Sequence, residues 1–196
     1  MKTIYTIGHS TDTLDVFLNF LRKNKINTVI DVRSVPYSRF ANQFNKEQLE
    51  KFLKKNNIYY IPMGKSLGAR FENKELLFND GKVNFSKVIK TDLFLNGIAR
   101  IEKGINQGFK ITLMCSEKNP LQCHRFSLLA RFLHQKGYKV THIVGNDVFD
   151  HKILEKKMIN YYMTHHKISL EINKIIKFQK VQRSLFIDEE KLYTNL

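Results

Sequence analysis

The sequence predicts an α/β fold: a mostly parallel sheet with helices on both faces, followed by a helical C-terminal extension. Three observations predict it. Five short apolar runs, residues 3–7, 28–32, 59–61, 110–115 and 139–143, have strand character, and segments with helical spacing lie between most of them. Four of the five runs are apolar until they end and then turn polar, as strands do when a parallel sheet offers its carboxyl edge to a ligand.

The elements follow in order. The first strand runs into Gly8-His9-Ser10. A helix over about 12–23 then carries Leu14, Phe17, Leu18 and Leu21 on one stripe, with Thr11 or Asp12 able to cap it. The second strand runs into Asp31-Val32-Arg33-Ser34, and Asn45 stands as N-cap of a helix that turns Leu49, Phe52 and Leu53 inward. Residues 62–85 hold Gly64, Gly68 and Gly81 with Lys65 and Arg70, and read as a long loop with little regular structure, a lid or rim. A third helix is expected over about 86–106, with Ile98, Ile101 and Ile105 on one face and Gly108 beyond its end. The fourth strand runs into Cys115-Ser116-Glu117, and a helix over about 125–135 carries Leu128, Leu129 and Phe132 and ends before Gly137. The last strand ends near His142. Residues 1–146 are thus expected to form the core domain, and 147–196 a basic helical extension containing Tyr161, Tyr162, His165 and His166.

The 196 residues suit one domain with such an extension. An apolar share of 42%, with 15 Phe and 8 Tyr, is enough for a core and argues against disorder. No apolar run is long enough to span a bilayer, and the first residues read as a strand rather than a signal peptide, so a cytoplasmic protein without a membrane partner is expected. Two cysteines fit a reducing compartment. The net charge is +15, with 24 Lys/Arg against 13 Asp/Glu in residues 1–150 and 9 against 5 in the rest. Such a field favours polyanions. Scattered lysines also serve as ordinary solvated surface, so the charge alone leaves both readings open.

The strand exits carry the chemistry. His9 can act as a general acid or base or meet a phosphate; equally, it can be a satisfied hydrogen-bonding residue beside a capping Ser10. Asp31 and Arg33 alternate along a strand, share a face and can pair. Ser34, Ser38 and Arg39 follow, a hydroxyl and guanidinium set apt for phosphate or carboxylate. Residues 115–125 are the densest cluster, because Cys123-His124-Arg125 opens a helix whose N-terminus favours anions and lowers a thiol pKa. Three readings compete there. A cysteine thiolate activated by His124 is one. Metal binding by Cys115, Cys123 and His9 or His124 is another, although a cysteine spacing of eight fits no familiar zinc pattern and no metal ligand is assigned. Glu117 and Asp31 as acid and base, with packing cysteines, is the third.

These residues resemble the domain-of-unknown-function family numbered 488. The resemblance rests on Thr6-Ile7-Gly8-His9-Ser10, on Asp31-Val32-Arg33-Ser34-Val35-Pro36-Tyr37-Ser38, and on Cys115-Ser116-Glu117 with Cys123-His124-Arg125. Residues 64–70, with Leu67-Gly68, are similar to the family's Leu-Gly-Gly stretch, with Ala69 in place of the second glycine. The resemblance spans about residues 3–145 and implies an α/β fold. Asp-Val-Arg after a strand is also similar to rhodanese-like domains, but Glu117 and Pro120 follow Cys115, so their compact anion cradle is absent in that form.

The leading functional expectation is an enzyme on a nucleic-acid or nucleotide substrate. Arg33, Arg39 and Arg125, with Ser10, Ser34 and Ser38, would bind a phosphorylated substrate. His9, Asp31 and Glu117 would supply acid/base groups, and Cys115 or Cys123, activated by His124, the nucleophile of a covalent mechanism. The alternatives are a non-enzymatic basic nucleic-acid-binding module and a cysteine- or metal-dependent redox or sensor protein. The sequence identifies no cofactor and no oligomeric state.

Overall fold

A computed structural model describes residues 1–166 of the chain, and the side chains of 1–160. It contains β1 (Thr3–Gly8), α1 (Leu14–Lys23), β2 (Thr28–Asp31), α2 (Lys46–Lys55), β3 (Tyr59–Pro62), α3 (Gly64–Leu67), α4 (Phe85–Val88), α5 (Asp92–Asn106), β4 (Ile111–Cys115), a π-helical turn (Arg125–Ala130) that continues as α6 (Arg131–Gln135), β5 (Lys139–Val144), β6 (Asp147–Asp150) and α7 (His151–His166). The six strands form one sheet in the order β3-β2-β4-β1-β5-β6. The first five are parallel, and β6 runs antiparallel to β5.

Each face of the sheet buries its own core, because successive side chains along a strand point to opposite sides. On one face, Phe17, Leu18 and Leu21 of α1 and Leu49 and Leu53 of α2 close over Ile7, Val29, Met114 and Ile143. On the other, Phe94, Ile98 and Ile101 of α5 and Leu128, Leu129 and Leu133 close over Ile4, Ile30, Leu113 and Val140. The expected α/β architecture is therefore present, and it leaves the carboxyl ends of β1, β2 and β4 side by side.

Several local expectations are corrected. Thr13, not Thr11 or Asp12, caps α1: its hydroxyl accepts from Val16 N, while Asp12 N is spent closing a turn on His9 O. Asn45 is the N-cap residue of α2, as expected, but its side chain accepts from Ser38 N rather than from the helix. The helix expected over 86–106 is two helices. The Thr91 hydroxyl donates to Val88 O at the end of one and accepts from Phe94 N at the start of the next, so one side chain stops and restarts the ladder. The segment 62–85 has little regular structure, as expected: its short elements are α3, a 3-10 turn at Lys74–Leu76 and a bridge between Leu77 and Val83.

Residues 147–150 were expected to begin the helical extension and instead form β6. A two-residue connection, Gly145-Asn146, turns the chain back on β5, and Gly145 takes φ +61°, a left-handed conformation that glycine adopts without penalty. The extension is helical from His151 to His166. Residues 167–196 lie outside the described residues, as do the side chains of Tyr161, Tyr162, His165 and His166.

The junction of β5 and α7 buries a chain of imidazoles. Thr6 Oγ1 lies 2.7 Å from His142 Nδ1, His142 Nε2 lies 3.0 Å from His151 Nδ1, and His151 Nε2 faces Glu155 at 3.5 Å. Glu155 in turn pairs with Arg131. Burial pushes the pKa of His151 down to about 3, and burial with the neighbouring His151 pushes His142 well below the ordinary histidine value. An unfolded chain takes up protons on these rings near pH 6.5, whereas the folded chain refuses one on His151 until about 3. The stability they contribute is therefore complete above pH 6.5 and lost as pH falls through that window. His151 alone should remove about 2 kcal/mol between pH 6.5 and about pH 5. Urea midpoints measured across that range check this: His151→Phe should flatten the dependence, and an unchanged slope would contradict it.

Candidate functional site

Three strand exits meet at the carboxyl edge of the sheet. β1 and β4 are neighbours, with Gly8 paired to Cys115. The pairing continues beyond both strands, as His9 N donates to Cys115 O at 3.0 Å and Ser10 N to Ser116 O at 2.8 Å. On the other side of β4, Val32 N donates to Met114 O at 3.0 Å. Gly8 is required by this closeness: a Cβ there would stand 1.7 Å from Glu117 O.

His9, Asp31 and Arg33 form one buried network. The Asp31 carboxylate accepts from Arg33 N, Nε and Nη2 and from the Tyr60 hydroxyl, at 2.6–3.1 Å. Asp31 is 1% exposed and Arg33 5%. Arg33 also donates through Nη2 to Phe44 O at 2.9 Å and through Nη1 to His9 Nε2 at 3.0 Å. His9 Nδ1 lies 2.7 Å from Ser10 O, a carbonyl that can only accept. The proton therefore sits on Nδ1, and the Nε2 lone pair is taken by Arg33. Burial and the Arg33 charge lower the His9 pKa to about 4, and its ring stacks on Phe44 at 4.2 Å. Burial and the Asp31 charge raise the Tyr60 hydroxyl pKa. The network holds β1, β2, β3 and the 42–44 turn together, and its acid/base groups all have partners.

Cys115, Cys123, His124 and Glu117 form the second group. Cys115 ends β4, and Cys123 follows a short 3-10 turn, Pro120–Gln122, whose N-cap Asn119 accepts from Leu121 N. The Sγ atoms of Cys115 and Cys123 lie 3.9 and 3.7 Å from His124 Nδ1. His124 Nε2 lies 3.1 Å from Leu67 O at the end of α3, which fixes the ring. Arg125 N donates to Cys123 Sγ at 3.4 Å. Burial works against ionisation of Cys123, but the Cys115 hydrogen bond and the charges of Arg125 and His124 outweigh it and pull its pKa down. Cys115 moves the other way, held as a thiol by its bond to Cys123 and by burial. Burial lowers His124, yet the charge and hydrogen bond of Cys123 reverse this and raise it. Glu117 is exposed as a residue, but desolvation of its carboxyl near Cys123, and the charge there, raise its pKa. The cluster thus combines two cysteine sulfurs, an imidazole and a carboxyl group, with Cys123 the sulfur that ionises more readily.

The remaining expected residues divide. Arg125 is 0% exposed and donates to Glu117 O at 2.5 Å and Lys118 O at 2.9 Å, so it braces the 117–118 loop from inside. The Ser34 hydroxyl accepts from Ala69 N and Arg70 N, at 3.0 and 3.1 Å, tying the exit of β2 to the segment after α3. Ser10 takes φ +50° beside His9. The Ser38 hydroxyl accepts from Phe40 N, and Arg39 is exposed; neither side chain bonds to the two groups among the described residues.

Beside the first group lies a cavity of about 420 Å³ lined by Arg33, Ser34, Lys46, Lys65, Ser66 and Arg100, among others. Lys46, Lys65 and Arg100 have no salt bridge among the described residues. Lys65 stood out in the sequence as a basic loop residue. Lys46 and Arg100 did not, being ordinary helical surface positions by pattern. Tyr60, Phe44 and Leu67 were missed as well, the last two because they act through backbone carbonyls, which no side chain announces.

Fold and site together define an α/β protein with a cysteine–histidine cluster at the carboxyl edge of its sheet. The sequence profile of the family described as domain of unknown function DUF488 matches residues 13–133, and the chain belongs to that family. The matched span takes in the motifs at 31–38 and 115–125, while Thr6-Ile7-Gly8-His9-Ser10 precedes it. No curated protein and no solved structure matches the chain. No helix among the described residues is long and apolar enough to cross a membrane.

Proposed function

We propose that the chain is an enzyme acting on a phosphate-bearing substrate, a nucleotide or nucleic acid. The observation that carries this reading is the cation-lined cavity at the exit of β2. Lys46, Lys65 and Arg100 bring three positive charges to one recess whose other polar groups include Ser34, Ser66 and the paired Asp31 and Arg33. Phosphate oxygens are the ligand such a set suits best, and the +15 net charge speeds their capture.

The turn α3 joins recess to chemistry: Gly64, Lys65 and Ser66 line the cavity, and Leu67 O of the same turn orients His124. The phosphate role expected of Arg33 and Arg125 passes to Lys46, Lys65 and Arg100, because the two buried guanidinium groups are already engaged. The reacting groups are then Cys115, Cys123, His124 and Glu117, while His9 and Asp31 hold the scaffold. Two cysteines that form no disulfide suit a reducing, cytoplasmic setting.

Fluorescence anisotropy with a labelled single-stranded RNA, a DNA strand and a labelled nucleoside triphosphate tests this. Binding of at least one probe should weaken steeply with salt. Lys65→Ala and Arg100→Ala should each reduce the slope of log K against log salt by about one. Absence of salt-dependent binding to all three probes would overturn the phosphate reading. A bound probe that the wild-type protein leaves chemically unchanged, by chromatography of the products, would overturn the enzyme reading.

A further inference from the structure

The geometry points to a zinc site at the Cys115–Cys123–His124 cluster, with Cys115 Sγ, Cys123 Sγ and His124 Nδ1 as its three protein ligands. This deepens the reading above, because it names the cofactor of that same centre. Tetrahedral zinc holds sulfur at about 2.3 Å and imidazole nitrogen at about 2.05 Å, so adjacent ligand atoms stand about 3.6 Å (S···N) and about 3.8 Å (S···S) apart. Here the two S···N separations are 3.9 and 3.7 Å, and all three atoms lie within 4.8 Å of one another. Shifts of a few tenths of an ångström on the S···N edges, and at most about 1 Å on the S···S edge, close the site.

The surroundings are those of a metal-ligating histidine. Such a ring donates its other N–H to a carbonyl or carboxylate, which fixes its orientation and aims the remaining lone pair at the ion. His124 Nε2 makes that bond to Leu67 O at 3.1 Å, leaving Nδ1 turned toward both sulfurs. Arg125 N donates to Cys123 Sγ, as backbone amides do to metal-bound thiolates. The ligands are also well anchored. Cys115 is the last residue of a central strand, and Cys123 follows the Pro120–Gln122 turn. Glu117 is not among the residues whose ligand atoms converge, so the fourth position is left to water or a substrate oxygen. Three protein ligands with a fourth place that can open is the pattern of catalytic rather than structural zinc. Bound there, zinc would supply a Lewis acid beside the phosphate recess. Linear zinc patterns miss this site because two of its ligands, Cys123 and His124, are adjacent in the chain.

The test uses the full chain, stripped of metal with a chelator under reducing conditions and reloaded with zinc or cobalt(II). One ion per chain should bind, and cobalt should give the thiolate charge-transfer and strong visible bands of a tetrahedral sulfur site. Cys115→Ser and Cys123→Ser should each abolish both. Should these variants fail to fold, the wild-type protein alone decides: zinc should protect both thiols from alkylation at least tenfold, and chelator should restore the rate. Sub-stoichiometric binding, an octahedral cobalt spectrum, or equal alkylation with and without zinc would overturn the site. Anisotropy on the metal-free protein reads the phosphate recess separately, so the failure of either reading leaves the other measurable.

Discussion

Replacing Gly8 by alanine should abolish soluble expression or lower the unfolding free energy by about 3 kcal/mol or more, at the upper end of what overpacking costs. The added Cβ would stand 1.7 Å from the carbonyl oxygen of Glu117 and 3.0 Å from Arg125 Nη2. Neither can step aside easily. The carbonyl is gripped by Arg125 Nη1, and Arg125 is itself 0% exposed, so it has no solvent to move into. Gly8 is equally fixed, paired to Cys115 in a sheet whose next residues bond onward at His9 and Ser10. The contact is backbone against backbone, so rotamer changes cannot relieve it. Gly104→Ala is the matched control. It lies inside α5, where alanine gains about 0.5–1 kcal/mol of helix propensity, and its Cβ would meet only the flexible tip of Ile111 at 3.0 Å. Urea denaturation of the two variants should separate them in opposite directions. A Gly8→Ala protein as stable as wild type would mean that the 117–118 loop does not seat against β1.

The strands were legible because each is a short apolar run with a polar exit, and a buried parallel strand has little other way to be written. Cys115, Cys123, His124 and Glu117 were legible as a cluster because they lie within nine residues of one another. The strand order was not. Nothing in the local pattern says that β4 enters between β2 and β1, yet that insertion is what sets Asp31 and Arg33 beside His9 and Cys115. The roles of the arginines were hidden for a related reason. A guanidinium reads the same in sequence whether it faces solvent or carbonyls, and the partners of Arg125 and Arg33 include backbone oxygens at Glu117, Lys118 and Phe44. The β5–β6 hairpin was legible and unread: Gly-Asn between Val144 and Asp147 is a two-residue turn signal, overshadowed by the basic helix that follows.

Asp31→Asn should destabilise the protein by about 3–5 kcal/mol, the cost of leaving a buried charge without its partner. Arg33 is 5% exposed, and its remaining acceptors, Phe44 O and His9 Nε2, are neutral. Arg33→Met should do comparable damage from the other side, leaving a carboxylate that is 1% exposed with only the Tyr60 hydroxyl and one backbone N–H. Exchanging both charges at once, with Asp31→Asn and Arg33→Met together, removes the uncompensated ion, so the double variant should be more stable than the sum of the single losses predicts. A double-mutant cycle on urea unfolding energies measures the difference, and a coupling of at least about 1.5 kcal/mol is expected for a pair in direct contact. The cycle also bears on what this corner of the sheet is for. Strong coupling identifies Asp31 and Arg33 as a clamp joining β2 to β3 and to the turn under His9, which leaves the chemistry to the neighbouring cysteine–histidine cluster. Near-additive losses would mean that the two charges are solvated separately, and would return Asp31 to the list of groups free to move a proton.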